Sequence, residues 1–300
     1  MSGARYIYGR NSVKALLETN PANVFKVFMA EGLKPDKRLQ AIHEKVRERG
    51  IPLQMVPRMR LDQILRDQLH NAQLKAQGQA GSVSNAGDDA SGRDEEDFIV
   101  HQGVAASVAP KALLDLPALI HLCQEKISLG QHPRVLLLDS VTDARNFGAI
   151  LRVADAAGID GVIVPKHHSA GFGPGVTKTA SGAEEVVNVA VVANLNHAIR
   201  ALKEAGFWIA GAAHEDKAVV YHQQDYQMPV ALVMGSEDKG IAPLIRNNCD
   251  FLVSIPMAGT VESLNVATAT AVLLFEIAKS PRASSKKEKA ELSDENGLST

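Results

Sequence analysis

Short apolar runs alternate with amphipathic segments along the carboxyl-terminal half of the chain, and this alternation constrains the fold most. The runs that predict buried strands are 135–138, 161–164, 187–192, 207–212, 230–234 and 251–255. The segments that predict helices are 147–154, 195–205 and 263–278. This order is typical of a parallel sheet with helices on both faces and with ligands at the carboxyl ends of its strands. Helix 263–278 is apolar almost all round, so we expect it to be buried.

The amino-terminal part of the chain predicts a second, smaller α/β domain. Its predicted helices are 11–18, 37–49 and 59–67, and its predicted strands are 24–30, 51–56 and 104–108. The periodicity of apolar residues carries these assignments, and Gly50 ends the second helix. The fold class is therefore α/β throughout, with two domains.

Composition sets the expected domain boundaries. We place the small domain at 1–109, a linker at 110–130, the large domain at 131–280 and a disordered tail at 281–300. The stretch 70–98 is rich in Gln, Ala, Gly, Ser and Asp and nearly free of large apolar residues. Such a segment buries too little apolar surface to offset its ordering entropy, so we expect a mobile insertion there.

Charge and cysteine content narrow the class of protein. The net charge of −2 hides a basic region, because residues 1–70 carry 13 Lys and Arg against 7 Asp and Glu. A basic region of this kind permits contact with a polyanion. The two cysteines, Cys123 and Cys249, form no CxxC pair, and the amino terminus shows no apolar signal segment. We therefore expect a cytoplasmic protein without a membrane span.

Several common motifs are absent. The loop Gly235–Gly240 lacks the Lys and Ser or Thr that complete a mononucleotide-binding loop. The glycine-rich stretch Gly171–Gly175 does not match a dinucleotide fingerprint, and Pro174 removes an amide from it. The pair His167 and His168 has no third ligand at useful spacing, so we expect no metal site.

Three polar clusters lie next to predicted strands or helices of the large domain. The first, 143–152, follows a strand and carries Asn146 and Arg152. The second, 230–241, runs from a strand into a glycine-bounded loop with Glu237, and the third, 254–265, opens the last helix with Ser263 and Asn265. Each has an ordinary alternative: an Arg152–Asp155 surface pair, a plain strand-to-helix turn, or helix capping by Ser263 and Asn265.

Taken together, the three clusters resemble the three motifs of the SpoU/TrmH family of RNA ribose 2′-O-methyltransferases, in the SPOUT superfamily. Their order and spacing match over Val135–Ala278. The amino-terminal part is similar to the family's substrate-binding domain, which is L30e-like, at Ile7–Val13 and His101–Val104. Within the family, the likeness is to enzymes that methylate a guanosine ribose in large-subunit (23S) ribosomal RNA.

The resemblance implies a sheet tied in a trefoil knot, S-adenosylmethionine as cofactor and a homodimer whose partner subunit completes each site. It implies that backbone around Gly235, Ile255 and Leu264 holds the adenine. It also implies that Arg152 is the catalytic arginine and that the other polar catalytic residues are Asn146, Glu237, Ser263 and Asn265. Arg152 is then either a base or an electrostatic stabiliser, and the permanent charge of a guanidinium argues against the base.

The resemblance also assigns a partner, ribosomal RNA, to the basic amino-terminal region. The candidate phosphate-binding residues are Arg5, Arg10, Lys34, Lys37, Arg38, Arg58 and Arg60. Solubilising surface charges are the alternative for most of them. Two other functions stay open: ribose methylation of transfer RNA, and a non-catalytic RNA-binding or ribosome-assembly role. Ala144 and Asp238 depart from the family's usual Pro and Gly, and neither removes a key side chain.

Overall fold

The computed structural model describes residues 5–67, 101–109, 111–167, 169–172, 174–215 and 217–279. These residues form two compact units, one comprising the chain up to 111 with 172–186 and the other comprising 112–171 and the chain from 187 onward. The predicted insertion at 70–98 and the predicted tail at 281–300 lie outside the described residues. Within the described ranges, no helix is long and apolar enough to cross a membrane.

The first unit contains a four-stranded sheet with the strand order β1-β4-β2-β3. Its strands are β1 (Arg5–Tyr8), β2 (Val24–Ala30), β3 (Leu53–Val56) and β4 (Val104–Val108). Its first three helices are α1 (Arg10–Thr19), α2 (Lys37–Glu48) and α3 (58–67). Strands β2 and β3 are parallel, and the other pairs are antiparallel. The small α/β domain is thus confirmed, and β1 is the strand that the apolar pattern did not predict.

The alternation of side chains along β2 divides the core of the first unit into two layers. Val27 and Met29 pack with α1 and α2, whereas Phe28 and Ala30 pack with α3 on the other face. Successive strand residues point to opposite faces of a sheet, so four consecutive apolar residues such as 27–30 can be buried on both faces. Helices therefore cover this sheet on both sides.

The segment 172–186 belongs to the first unit, although it connects two strands of the second. It contains the short helices α6 (Pro174–Ala180) and α7 (Ala183–Val186). At Gly182, whose φ is +98°, a Cβ would lie 3.0 Å from the Cα of Ser12. Only glycine tolerates both this φ and this contact. We expected the large domain to span 131–280. The second unit instead lacks 172–186, which belongs to the first unit.

The second unit contains a seven-stranded sheet in which every pair is parallel, with the order β7-β6-β5-β10-β8-β11-β9. The strands are β5 (Arg134–Leu138), β6 (Gly161–Pro165), β7 (Val189–Val192), β8 (Trp208–Ala212), β9 (Val219–Val220), β10 (Val230–Met234) and β11 (Phe251–Ser254). The helices are α4 (Leu116–Ser128), α5 (Ala144–Ala156), α8 (Leu195–Glu204), α9 (Pro243–Arg246) and α10 (Val266–Lys279). The predicted parallel sheet is confirmed, and only the two-residue β9 is additional.

Residues 110–130 were predicted to be a linker, but most of them form helix α4. Leu119 and Cys123 of this helix are buried in the same core as α8. At Gly161, a Cβ would lie 2.4 Å from a methyl group of Leu119, so the strand carries glycine where the helix crosses it. The segment is an integral part of the second unit.

Helix α10 differs from its prediction in two ways. It begins at Val266 rather than at Ser263, and it is not buried all round. Leu273 and Leu274 are in the core, where the helix packs on α5, but the side chain of Phe275 is 50% exposed.

Candidate active site

Helix α5 begins with a side-chain cap that fixes Asn146. The carboxylate of Asp143 accepts a hydrogen bond from the backbone N–H of Asn146 over 2.8 Å. A carboxylate at this position satisfies a free helix N–H and faces the positive end of the helix dipole. The cap holds the Asn146 side chain in the first turn of the helix, just beyond the carboxyl end of β5.

Three polar side chains from distant parts of the chain meet at this point. Asn146 donates from Nδ2 to Oε1 of Glu237 over 3.2 Å, and Asn265 donates to the same oxygen. Asn265 also donates to Oδ1 of Asn146 over 3.0 Å. Each of the three predicted motifs contributes one member, and we name Asn146, Glu237 and Asn265 the polar triad. The carboxylate makes these bonds charge-assisted, so it fixes both amide orientations.

Asn265 also caps helix α10, which the alternative prediction had anticipated. Its Oδ1 accepts from the backbone N–H groups of Ala267 and Thr268, over 3.0 and 3.3 Å. The backbone N–H of Val266 donates to Oε1 of Glu237 over 3.1 Å. Asn265 therefore lies before the helix rather than inside it, and the cap is Asn265 rather than Ser263.

The loop that carries Glu237 requires a glycine at its start. At Gly235, a Cβ would lie 2.0 to 2.3 Å from backbone atoms of Gly240 and Ile241. Ser236 and Gly240 close the loop through two reciprocal backbone hydrogen bonds of 3.0 and 3.2 Å. The chain thus returns against its own starting point, and this close approach is possible only without a side chain.

Asp139 anchors the same loop, and the sequence analysis missed it. It follows β5 directly, is buried, and accepts from the backbone N–H of Ala242 over 2.8 Å. Its other carboxylate oxygen accepts from the hydroxyl of Ser140 over 3.1 Å. A charged residue immediately after the apolar run VLLL was the available signal, because such a position falls at the ligand-binding edge of a parallel sheet.

A pocket opens beside the triad at the carboxyl ends of β8, β10 and β11. Its walls include Met234, Ile255 and Leu264, and Gly235 contributes backbone. Polar groups around it are supplied by Ser236, Glu237, Glu262 and Ser263. Apolar walls with a few convergent polar groups suit a small molecule that has an apolar body and polar ends. All three residues predicted to hold a cofactor, Gly235, Ile255 and Leu264, line this pocket.

Arg152 lies apart from the triad that the other motif residues form. It is exposed on α5, six residues after Asn146. At 3.6 residues per turn, six positions place its side chain about 120° around the helix from Asn146. Within the described ranges it has no hydrogen-bond or ion-pair partner, so the alternative of an Arg152–Asp155 surface pair is wrong.

Comparison with known families agrees with this geometry. Residues 133–275 match the model of the SpoU rRNA Methylase family, and residues 6–72 match the model described as RNA 2′-O ribose methyltransferase substrate binding. The chain is 39% identical to the 23S rRNA (guanosine-2′-O-)-methyltransferase RlmB of Pseudomonas aeruginosa, over 92% of this chain and 97% of that protein. The chain belongs to the SpoU methylase family.

Other members and neighbours of this family are also similar. The putative TrmH family tRNA/rRNA methyltransferase YacO of Bacillus subtilis is 34% identical over 91% of this chain and 94% of that protein. The SpoU methyltransferase AviRb of Streptomyces viridochromogenes has a TM-score of 0.65 at 21% identity, covering 93% and 90% of the two chains. The AdoMet-bound rRNA methyltransferase of Sinorhizobium meliloti has a TM-score of 0.63 at 23% identity, covering 92% and 87%.

In this SpoU family member, most of the predicted RNA-binding residues lie at one edge of the first sheet, where strands β2 and β3 end. Strands β2 and β3 end there side by side, since Ala30 pairs with Val56 and the N–H of Glu31 donates to Val56 over 2.9 Å. The loop before β4 joins the same edge, where Ala30 donates to the carbonyl of Gly103 over 2.8 Å. The exposed predicted residues that follow β2 and β3 are Lys34, Lys37, Arg38, Arg58 and Arg60.

Arg10 lies at the same edge but already has structural partners. It forms an ion pair with Asp36, and its Nε donates to the carbonyl of Gln102 over 3.0 Å. The Arg10 guanidinium also contributes to the low pKa of Asp36, after the larger effect of the hydrogen bond from Leu39. Arg10 therefore joins two loops, which accounts for its position without RNA.

Arg5 was predicted to bind RNA, but in the structure it is largely buried in an ion pair. Its guanidinium pairs with Glu185 of α7, and the two side chains are only 16% and 4% exposed. Burial lowers the pKa of Arg5, and burial raises the pKa of the neighbouring Glu184. Lys111 belongs to the same cluster, where burial lowers its pKa to about 8 with a further contribution from Arg5. Arg5 thus holds α7 within the first unit.

Proposed function

We propose that this protein transfers a methyl group from S-adenosylmethionine to the ribose 2′-hydroxyl of a guanosine in 23S ribosomal RNA. The observation that carries the proposal is the polar triad beside the pocket at the carboxyl edge of the sheet. Family membership gives this geometry its chemistry. The relatives named 23S rRNA (guanosine-2′-O-)-methyltransferase RlmB, at 37–39% identity over nine-tenths of the chain, support the substrate.

We assign the pocket to S-adenosylmethionine. Ile255 and Leu264 offer apolar walls to the adenine, and Gly235 offers backbone without a side chain. Ser236, Glu262 and Ser263 supply polar groups for the ribose and amino-acid ends. When bound, this cofactor supplies a methyl group on a sulfonium centre. The AdoMet-bound structure from Sinorhizobium meliloti supports the assignment through its shared fold.

The catalytic roles follow from the chemistry of a hydroxyl nucleophile. The 2′-oxygen must lose its proton as the new bond forms, so the site needs a proton acceptor or a stabiliser of negative charge. We assign stabilisation to Arg152, because a guanidinium keeps its positive charge in a protein and is a poor proton acceptor. Glu237 orients the amides of Asn146 and Asn265, and Ser263 lies in the same pocket wall.

We further propose a homodimer in which Arg152 acts in the partner's site. Its position about 120° around α5 from Asn146 supports this, because such a side chain serves a neighbouring site better than its own. The half-exposed Phe275 on α10, the helix that packs on α5, offers apolar surface for such an interface. Insertion of β10 between β5 and β8 supports the proposed trefoil knot.

RNA binding is assigned to the exposed basic residues at the edge of the first sheet. These are Lys34, Lys37, Arg38, Arg58 and Arg60. Phosphate contacts release counterions, so RNA affinity should fall steeply with salt. The double variant Lys37→Gln with Arg38→Gln should weaken binding and flatten the salt dependence. A ribosomal RNA substrate also favours a cytoplasmic location.

Transfer RNA is the second candidate substrate, since the Bacillus subtilis relative is named a putative tRNA/rRNA methyltransferase. The test is incubation of the purified protein with labelled S-adenosylmethionine and, separately, 23S rRNA and bulk transfer RNA. Label in 23S rRNA alone supports the proposal. Label in transfer RNA alone keeps the chemistry and replaces the substrate. Absence of both label and cofactor binding would favour a non-catalytic RNA-binding protein.

A further inference from the structure

One face of α5 carries a second arginine, which lies within the first motif, 143–152, but has no role assigned to it there. Arg145 precedes Arg152 by seven residues, which is close to two helical turns and about 10.5 Å along the axis. Both side chains are exposed on this face, and the small side chain of Ala149 lies between them. The two arginines therefore lie on the same side of the helix, with only the methyl group of Ala149 between them.

The local structure gives no reason for a cation at position 145. Arg145 lies in the first turn of α5, where the helix dipole disfavours positive charge. The turn contains no acidic residue, and the capping carboxylate of Asp143 is engaged with the N–H of Asn146. Throughout the part of the chain that the structure describes, Arg145 has no hydrogen-bond or ion-pair partner.

The location of Arg145 indicates what it binds. It shares its face of α5 with Arg152, which we assign to the site of the partner subunit, so both guanidinium groups face the RNA at that site. An RNA strand presents a phosphate on each side of any target ribose. A guanidinium binds a phosphate through two parallel hydrogen bonds, which fixes both distance and orientation.

We infer that Arg145 binds a backbone phosphate next to the target ribose. Arg152 then faces the reacting oxygen in the partner's site, while Arg145 fixes the position of the same RNA strand along α5. This inference rests on the proposed function, because it requires an RNA substrate. It assigns to Arg145 a role in binding RNA and none in binding the cofactor.

The test compares Arg145→Gln and Arg145→Lys with a matched control, Arg200→Gln, which removes an exposed arginine from α8. Steady-state methylation of 23S rRNA gives KM and kcat at several salt concentrations. Filter binding of the same RNA gives affinity independently of turnover. Calorimetric titration with S-adenosylmethionine and a thermal melt report on the cofactor site and the fold.

Arg145→Gln should raise KM for RNA about tenfold, as expected for one charged hydrogen-bonding contact, with kcat changed far less. The slope of log affinity against log salt should become shallower by about one. Arg145→Lys should recover part of the affinity because charge returns without the fork. Arg200→Gln should leave all these values unchanged.

Wild-type KM and salt slope in Arg145→Gln would overturn the inference while leaving the proposed function intact. A loss of cofactor affinity or melting temperature that matches the loss of activity would also overturn it, since the role would then be structural. If the wild-type protein methylates no RNA, the proposed function fails separately. In that case, filter binding of 23S rRNA still tests the phosphate contact: weaker binding by Arg145→Gln than by the wild type supports the contact, and equal binding overturns it.

Discussion

Asn265 donates a hydrogen bond to Oδ1 of Asn146 over 3.0 Å across 119 residues of sequence. This bond joins the start of α10 to the start of α5, and both amides also donate to Glu237. The two helices that pack on one another thus also share a polar contact at their amino termini. The site depends on this junction, because it sets the loop of Glu237 beside the pocket.

Removal of the Glu237 carboxylate should damage both the fold and the activity. In Glu237→Ala, the amides of Asn146 and Asn265 and the N–H of Val266 lose their shared acceptor. We expect a loss of about 1–2 kcal/mol in the free energy of unfolding and a large loss of methyl transfer. Urea titration measures the first. Asp238→Ala removes the adjacent exposed carboxylate and should leave stability unchanged; equal losses in both variants would refute the role of the triad.

Two substitutions separate the cap of α10 from the triad. Asn265→Ala removes both functions and should cost about 1 kcal/mol of stability together with activity. Asn265→Ser retains an oxygen for the N–H groups of Ala267 and Thr268 but does not reach Glu237. We expect Asn265→Ser to unfold like the wild type and to lose most methyl transfer. Full activity in the serine variant would show that the triad contact is dispensable.

Gly235 should not tolerate even a methyl group. In Gly235→Ala, the Cβ would meet backbone of Gly240 and Ile241 at 2.0 to 2.3 Å, so the loop has to open. We predict loss of S-adenosylmethionine binding in a calorimetric titration and a lower melting temperature. Gly259→Ala provides the control, because a Cβ there meets nothing within 4 Å. Cofactor affinity retained in Gly235→Ala would contradict the assignment of this loop to the pocket.

Lys111 should make stability increase with pH in the alkaline range. Burial, together with Arg5, lowers its pKa in the folded state to about 8 from 10.5. Between these values the unfolded chain binds more protons than the folded one, so unfolding becomes harder as pH rises. Relative to Lys111→Met, the wild type should gain about 1 kcal/mol from pH 7.5 to 9.5, after discounting for solvent screening. Urea titrations at both pH values measure this difference; a constant difference would place Lys111 in solvent.

Local sequence patterns predicted the individual strands and helices well. The run 24–30 became β2 and the run 230–234 became β10 with no shift at either end, because each run is mainly apolar and is bounded by polar residues or by proline and glycine. The four-residue β1 was missed, since Arg5 and two tyrosines give it no apolar run. Helix α4 was also missed, and its residues were assigned to the linker at 110–130.

Contacts between distant segments could not be read from local patterns. The burial of Arg5 depends on Glu185, 180 positions later by residue number, so its charge looked available for RNA. The packing of 172–186 in the first unit depends on the approach of Gly182 to Ser12. The polar triad was anticipated only through the family resemblance, because spacing alone left an ordinary explanation for each motif.

The most direct test of the proposed activity maps methylated riboses in 23S rRNA after incubation with S-adenosylmethionine and either the wild-type protein or Arg152→Ala. We predict one 2′-O-methylguanosine with the wild-type protein. We predict none with Arg152→Ala, whose affinity for the cofactor should be unchanged in a calorimetric titration. Methylation of a base, or ribose methylation that persists at the wild-type rate in Arg152→Ala, would contradict the proposed activity or the role of Arg152.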